Sequence, residues 1–262
     1  MQTVSLPRLG VLLALGLSRA CTSVGEAPVT PATESRAKAQ RAATVGASEA
    51  PVLVELFTSQ GCSSCPPAER VVAELAQSHT LGGRPVVALA YHVDVWDDLG
   101  WADPLARPEF TERHERYAAR LSDRRWYTPQ AIIAGSAHRI GSRRADLTEA
   151  VLAVPPVAPL AVEVARSSSA LEVVATAPAD AAVWLAVWED GVATTITRGE
   201  NAGSEVVSEH VVRRLVKIAA AGARGRATVE LDPSWRQLGA VAFAQAGAGA
   251  IAAVSVLDLP SS

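Results

Sequence analysis

The sequence predicts two folded parts in series: an α/β domain over residues 50–156, then an all-β, antiparallel, sandwich-like domain over 157–262. Three observations predict this. Between residues 52 and 96 an apolar run, a helical pattern and a second apolar run follow one another, and strand, helix, strand in that order implies a right-handed parallel unit. Pro155, Pro156 and Pro159 then interrupt the chain. Beyond them the hydrophobic period changes to two, the period of half-buried strands. A length of 262 residues agrees, since one ordinary domain runs to roughly 100–150.

Composition excludes several classes. Hydrophobic residues at 49% and charged residues at 19% make the chain too apolar to remain disordered. A net charge of -3 without a Lys/Arg run leaves no electrostatic footprint for nucleic acid or an anionic membrane surface. Three cysteines are too few for a disulfide-stapled scaffold. No pattern implies a cofactor.

The N-terminus reads as a secretory signal peptide over 1–20: Arg8, an apolar run from Leu9 to Leu17, then Ser18-Arg19-Ala20 with small residues at the outer positions. That run is about half of the roughly 20 residues a membrane-spanning helix needs. Cleavage after Ala20 exposes Cys21, for which two readings stay open: acylation as in bacterial lipoproteins, the chain's one route to a membrane, or an incidental thiol. Residues 21–49 mix Ala, Thr, Ser, Pro and charges without an apolar stripe and read as a flexible linker. The expected location is extracytoplasmic, where disulfides persist.

Within the α/β part, Val52 to Thr58 reads as a buried strand and Ser59-Gln60-Gly61 as a turn. Cys62-Ser63-Ser64-Cys65-Pro66-Pro67 follows. Val71, Val72, Leu75 and Ala76 then fall at helical spacing, with the prolines in the first turn, where a missing N–H costs nothing. Pro85 to Tyr91 forms the second strand and leads into His92-Val93-Asp94-Val95-Trp96. Residues 109–121 read as a helix. Thr128-Pro129 opens a further strand, a hairpin runs through His138 to Ile140, and a closing helix lies near 146–154. In the all-β part, short alternating segments from Leu160 to Leu257 are candidate strands, with Glu189-Asp190-Gly191 as a turn.

The cysteine pair carries the chemistry. A cysteine where a helix begins meets unpaired amides and the positive end of the macrodipole, both of which favour thiolate. Cys62 is the expected nucleophile, and Cys65 lies close enough to resolve a mixed disulfide. Zinc uses the same spacing, but a four-thiolate site needs a second pair that the chain lacks. In a parallel unit both strands end on one edge, so His92 to Trp96 should arrive beside Cys62, and the start of an antiparallel strand at Thr128-Pro129 should meet them. His92 and Asp94 have the same parity and are expected to share a face. Asp97, Asp98 and Asp103 read as a loop rim of mostly solvated carboxylates. Trp126 and Tyr127 have two readings, lining a peptide groove or packing a helix against the sheet, of which core packing is preferred, and His210, Arg213 and Arg214 read as a solvated strand face.

Strand, CxxC, helix and a later Thr128-Pro129 resemble the thioredoxin superfamily. That resemblance implies a thioredoxin-like fold for 50–156, a cis Pro129 facing the cysteines, and a Thr128 backbone offered to an extended peptide. It also implies a buried acid six positions before the first cysteine. Glu55 stands seven before, either as proton acceptor for Cys65 or as an acid paired with an Arg. More narrowly, FTSQGCSSCPPA, HVDVWDDLGW, YTPQ and TRGENAG resemble the bacterial secreted family catalogued as domain of unknown function 1223, over roughly residues 50–259. That family supplies no substrate.

The leading expectation is an extracytoplasmic thiol–disulfide oxidoreductase. Cys62, Cys65 and Glu55 carry its chemistry, and Thr128, Pro129, His92, Asp94 and Trp96 form its substrate surface. Its partners are protein thiols or disulfides, or another redox protein. Two alternatives stay open: a Cu(I)-binding protein using Cys62, Cys65 and His92, and a non-catalytic binding module with a structural disulfide.

Overall fold

A computed structural model describes residues 49–259 apart from Asp123 and Ala248. The signal peptide expected over 1–20, Cys21, and all of the expected linker except Glu49 lie outside the described residues. Strand β1 (Val52–Thr58) is buried at every position. After helix α1 (Pro66–Ser78) and the short β2 (Thr80–Leu81), β3 (Arg84–His92) is buried from Val86 onward. Continuous burial of this kind belongs to strands covered on both faces. β1 and β3 pair in parallel from Val52 opposite Val86 to Thr58 opposite His92, so their C-terminal ends share one edge.

A single 3-10 turn (Asp97–Leu99) and helix α2 (Pro108–Leu121) follow. β4 (Gln130–Ile133) runs antiparallel to β1 and forms a hairpin with β5 (Ala137–Ile140), and α3 (Arg144–Leu152) closes this half. The remaining strands are β6 (Val162–Arg166), β7 (Ala170–Thr176), β8 (Ala181–Glu189), β9 (Val192–Thr195), β10 (Glu205–Ser208), β11 (Val211–Ala219), β12 (Arg224–Glu230), β13 (Leu238–Ala246) and β14 (Ile251–Leu257).

These later strands correct the expected fold class. The chain does not form an α/β thioredoxin-like domain followed by a separate antiparallel sandwich. It is mostly β, built on one mixed sheet in the order β14-β13-β8-β11-β3-β1-β4-β5, with β2 on the edge of β3, nine strands in all. The junction is β11 lying parallel to β3, with Val211 opposite Ala90 and the Ala90 amide donating to the His210 carbonyl at 2.9 Å. A strand buried on both faces cannot leave its second edge unpaired, and β11 supplies the missing partner. Period-two alternation could not reveal this, because it is the same in a separate sandwich and in a prolonged sheet. His210, expected on a solvated face, is instead buried, its Nδ1 2.6 Å from the Ala88 carbonyl oxygen.

Alternation along the strands sorts the core. Even-numbered residues of β1 and β3, among them Val54, Leu56, Ala88 and Ala90, pack against α1 and α3. Odd-numbered ones, including Leu53, Phe57, Leu89 and Tyr91, pack on the α2 side, in a cluster that continues to Val241 and Phe243 of β13. The other face of β8 and β13 is covered by the three-stranded sheet β12-β7-β6, through Val164, Leu171, Val173 and Val229.

Candidate functional site

The turn after β1 is wound by short backbone bonds: the Cys62 amide donates to the Ser59 carbonyl and the Cys65 amide to the Cys62 carbonyl, each at 3.2 Å. Cys65 is the residue at which α1 begins, followed by Pro66 and Pro67. Cys62 and Cys65 form a disulfide with Cα atoms 5.4 Å apart. Cys62 is 7% exposed and Cys65 fully buried, so an incoming sulfur meets Cys62 first.

Thr128-Pro129 reaches the pair from the start of β4, with a cis peptide bond. The Thr128 carbonyl oxygen lies 3.8 Å from Cys62 Sγ and 3.4 Å from Ser64 Oγ, which is itself 3.4 Å from Cys62 Sγ. In the disulfide Sγ has no hydrogen to donate, so the Thr128 contact is a close approach that becomes an S–H···O hydrogen bond only in the dithiol. Trp96 Nε1 donates to Thr128 Oγ1 at 2.8 Å, which fixes the indole against the cis-proline loop. Behind it, Gly141 donates its amide to the Pro129 carbonyl, and a Cβ there would lie 2.5 Å from Leu56 Cδ1.

Cys62, Ser63, Ser64, Thr128 and Glu200 help wall a cleft of about 340 Å³, with Trp96, Leu99, Trp126 and Tyr127 on its apolar side. Trp126 is 40% exposed and Leu99 53%, so Trp126 belongs to the rim of the site and not to the core, as its sequence context had suggested. A larger pocket of about 420 Å³, lined by Pro51, Pro85, Val86, Trp188 and His210 among others, has neither cysteine of the pair in its lining.

His92 arrives at the same edge, opposite Thr58 and on the α1 side of the sheet. The expected link to Asp94 is absent. β3 ends at His92, alternation stops there, and Asp94 instead accepts from the Thr111 hydroxyl at 2.6 Å. The partner of His92 is Asp103: Nδ1 and Oδ2 lie 2.8 Å apart, both side chains excluded from solvent. Asp103 also accepts from the amides of Gln60 and Leu105. Burial alone would push the His92 pKa down, but the Asp103 carboxylate overrides it and holds the imidazole above its ordinary value. Burial would likewise raise Asp103, yet His92 and the two amides hold it below the usual carboxylate range. Nε2 of His92 is buried without a hydrogen-bond partner among the described residues. Asp103 was read as a solvated rim residue because its neighbours Asp97 and Asp98 are loop carboxylates, and no local pattern distinguishes it.

Glu55 sits elsewhere. As an odd-numbered residue of β1 it faces α2, where it accepts from Arg113 Nε at 2.7 Å, Arg113 Nη2 at 3.2 Å and the Tyr117 hydroxyl at 2.5 Å. The cysteine helix lies on the opposite face, so Glu55 is the acid paired with an arginine. Among the described residues no group of three or more His, Cys, Asp or Glu side chains is placed to hold a metal ion, and Cys62, Cys65 and His92 do not form such a set.

The loop between β9 and β10, which carries the Arg198-to-Gly203 motif, packs on the cysteine turn. Asn201 Nδ2 donates to the carbonyls of Gln60 at 2.8 Å and Cys62 at 3.0 Å. Glu200 Oε2 accepts from the Ser63 amide at 3.2 Å. Gly199 lies against Trp101 at a φ of +76°, where a Cβ would come within 2.9 Å of the Trp101 Cβ. The sequence marks this segment as polar and glycine-rich, but only the β3–β11 junction brings it to the cysteines.

Comparison with known proteins gives a family and a fold. The family model described as Protein of unknown function (DUF1223) matches residues 53–245. Protein AGR_C_4864 from Agrobacterium tumefaciens is similar in structure at a TM-score of 0.61 and 29% identity, over 82% of this chain and 100% of that one. HBP35 of Porphyromonas gingivalis shares the fold at a TM-score of 0.55 and 14% identity, over 80% of this chain and 75% of that one. No curated protein matches the chain.

Proposed function

We propose, from the premise that this chain belongs to the family described as Protein of unknown function (DUF1223), that it is a thiol–disulfide oxidoreductase acting on peptide or protein thiols and disulfides outside the cytoplasm. One observation carries the reading. Cys62 Sγ stands on the wall of an aromatic cleft beside the Thr128 carbonyl, while Cys65, its disulfide partner, is wholly buried. Exchange needs this asymmetry: one sulfur open to attack and a second that only the first can reach.

In the oxidised protein a substrate thiolate attacks Cys62 Sγ in line with the disulfide. The Cys62–Cys65 bond breaks, a substrate–Cys62 disulfide forms, and Cys65 leaves as a thiolate that takes a proton. A second substrate thiolate then attacks the substrate sulfur, giving the substrate disulfide and a Cys62 thiolate. Two electrons pass from substrate dithiol to protein. The reverse sequence reduces a substrate disulfide. Trp96, Leu99, Trp126 and Tyr127 favour substrates with apolar residues flanking the reacting cysteine. The secretory reading of residues 1–20 supports the oxidising compartment.

Trapping tests this. Reduced Cys65→Ala protein mixed with a peptide disulfide should accumulate a mixed disulfide at Cys62, detected as a mass adduct. Cys62→Ala protein should form none at Cys65 under the same conditions, with peptide mapping keeping adducts at Cys21 out of the comparison. Equal trapping by the two variants, or by neither, overturns the assignment.

A further inference from the structure

We propose that Glu200 is a positioning residue that destabilises the Cys62 thiolate and thereby makes the reduced pair an electron donor. The inference rests on the exchange reading above and adds its direction. A helix start ordinarily stabilises a thiolate through free amides and the macrodipole. Here all but one of the amides are missing or spent. Pro66 and Pro67 have none. Those of Ala68 and Glu69 both donate to the Cys65 carbonyl, and that of Cys65 to the Cys62 carbonyl. Gly61 gives its amide to Ser59 Oγ, and Cys62 gives its own to the Ser59 carbonyl. The Ser63 amide is held by Glu200. From Gly61 to Glu69 this leaves the Ser64 amide alone without an acceptor among the described residues. The Ser64 hydroxyl, also within reach of Cys62 Sγ, is shared with the Thr128 carbonyl.

The charges point the same way. Among the described residues Glu200 is the one charged side chain in the cleft lining. From α1, Glu69 adds a second carboxylate, bonded to Thr58 Oγ1 at 2.7 Å. At the end of β3, His92 is matched by Asp103. Arg124 and Arg125 precede Trp126 but do not line the cleft. Among the described residues of that lining there is no cation. A pair whose reduced form lacks stabilisation gives up electrons readily, the inverse of dithiols that are strong oxidants because their thiolate is favoured. The productive turnover is then a dithiol attack on a substrate disulfide R–S–S–R′. Two electrons and two protons leave Cys62 and Cys65, two substrate thiols form, and the protein is left as the disulfide. A reduced dithiol, exchanging through Cys62, must restore the starting state.

The test uses the full chain, reduced, with iodoacetamide as probe and mass spectrometry to assign alkylation to Cys62 across pH. The wild-type alkylation midpoint should fall at or above that of a free cysteine, about 8.5. Glu200→Gln should lower it by roughly half a unit to one unit, raising alkylation at pH 7 about three- to tenfold, and Glu200→Asp should restore the wild-type curve. High salt should move the wild-type midpoint in the same direction by screening the carboxylate, which keeps the proposal open to refutation if a variant folds poorly. In glutathione buffers the wild-type pair should stay oxidised at ratios that reduce Glu200→Gln. A wild-type midpoint below that of a free cysteine, or one unmoved by both Glu200→Gln and salt, overturns the proposal. Alkylation needs no disulfide partner, so failure of the trapping experiment with these midpoints intact would refute the exchange reading alone.

Discussion

His92 and Asp103 meet at 2.8 Å in a place where neither side chain touches solvent. The folded pKa of His92 is raised above its ordinary 6.5, so its contribution to stability is complete below 6.5 and is lost as pH rises through the folded value. Asp103 is depressed below 3.8, so its contribution is present above 3.8 and is lost as pH falls through the folded value. The pair therefore stabilises most between those limits. Asp103→Asn removes the charge that keeps His92 protonated, so it should cost more near pH 6, where the wild-type pair is charged, than near pH 9, where it is not. Urea unfolding at the two pH values measures the difference, and an equal loss at both would refute the charged pair.

His114 should give a slope of opposite sign. It stacks on Phe57 with ring centroids 4.4 Å apart, and burial lowers its pKa to about 4 despite a hydrogen bond with Gln130. Between 6.5 and about 4 the unfolded chain binds a proton that the folded chain refuses, so stability falls as pH drops through that range. The loss amounts to roughly 3 kcal/mol. His114→Gln should flatten this part of the curve in thermal unfolding followed from pH 7 to pH 4.

Glu55→Gln leaves Arg113 buried without its counter-charge and should destabilise the fold by about 3–5 kcal/mol. Because Glu55 faces α2 and the cysteines face the other side of the sheet, the pH dependence of Cys62 alkylation should not change. A shift in that profile alongside the stability loss would return Glu55 to the cysteine chemistry.

Asn201→Ala removes two of the hydrogen bonds that tie the β9–β10 loop to the cysteine turn and leaves the one from the Ser63 amide to Glu200. Stability should fall by about 1–2 kcal/mol, and mixed-disulfide formation with a peptide disulfide should slow severalfold as the turn loosens. Asn201→Asp, an acceptor facing two carbonyls, should be worse than Ala. Equal rates in stopped-flow trapping for all three proteins would show that the loop is a bystander.

The parts of the site that follow from local rules were readable in the chain. Cys65 at the start of a helix, Cys62 before it, and the strand ends at Thr58 and His92 sharing an edge all follow from apolar runs, proline positions and parallel topology. Three contacts were not readable. Asp103 finds His92 across a loop whose path no periodicity encodes. Glu55 misses the cysteines because a single position along β1 changes the face. Glu200 and Asn201 arrive because β11 completes the edge of β3, and alternation does not say which edge a strand will join. One trace of that junction was present: Val86 to Tyr91 is apolar without interruption, the pattern of a strand flanked on both sides.

Asn201 reaches the Cys62 carbonyl across 139 positions of sequence. A graft that moved residues 50–156 onto another scaffold would transplant both sulfur atoms and leave behind the residues that restrain them. In this molecule the disulfide and the side chain that fastens its turn stand far apart along the chain, and only folding introduces one to the other.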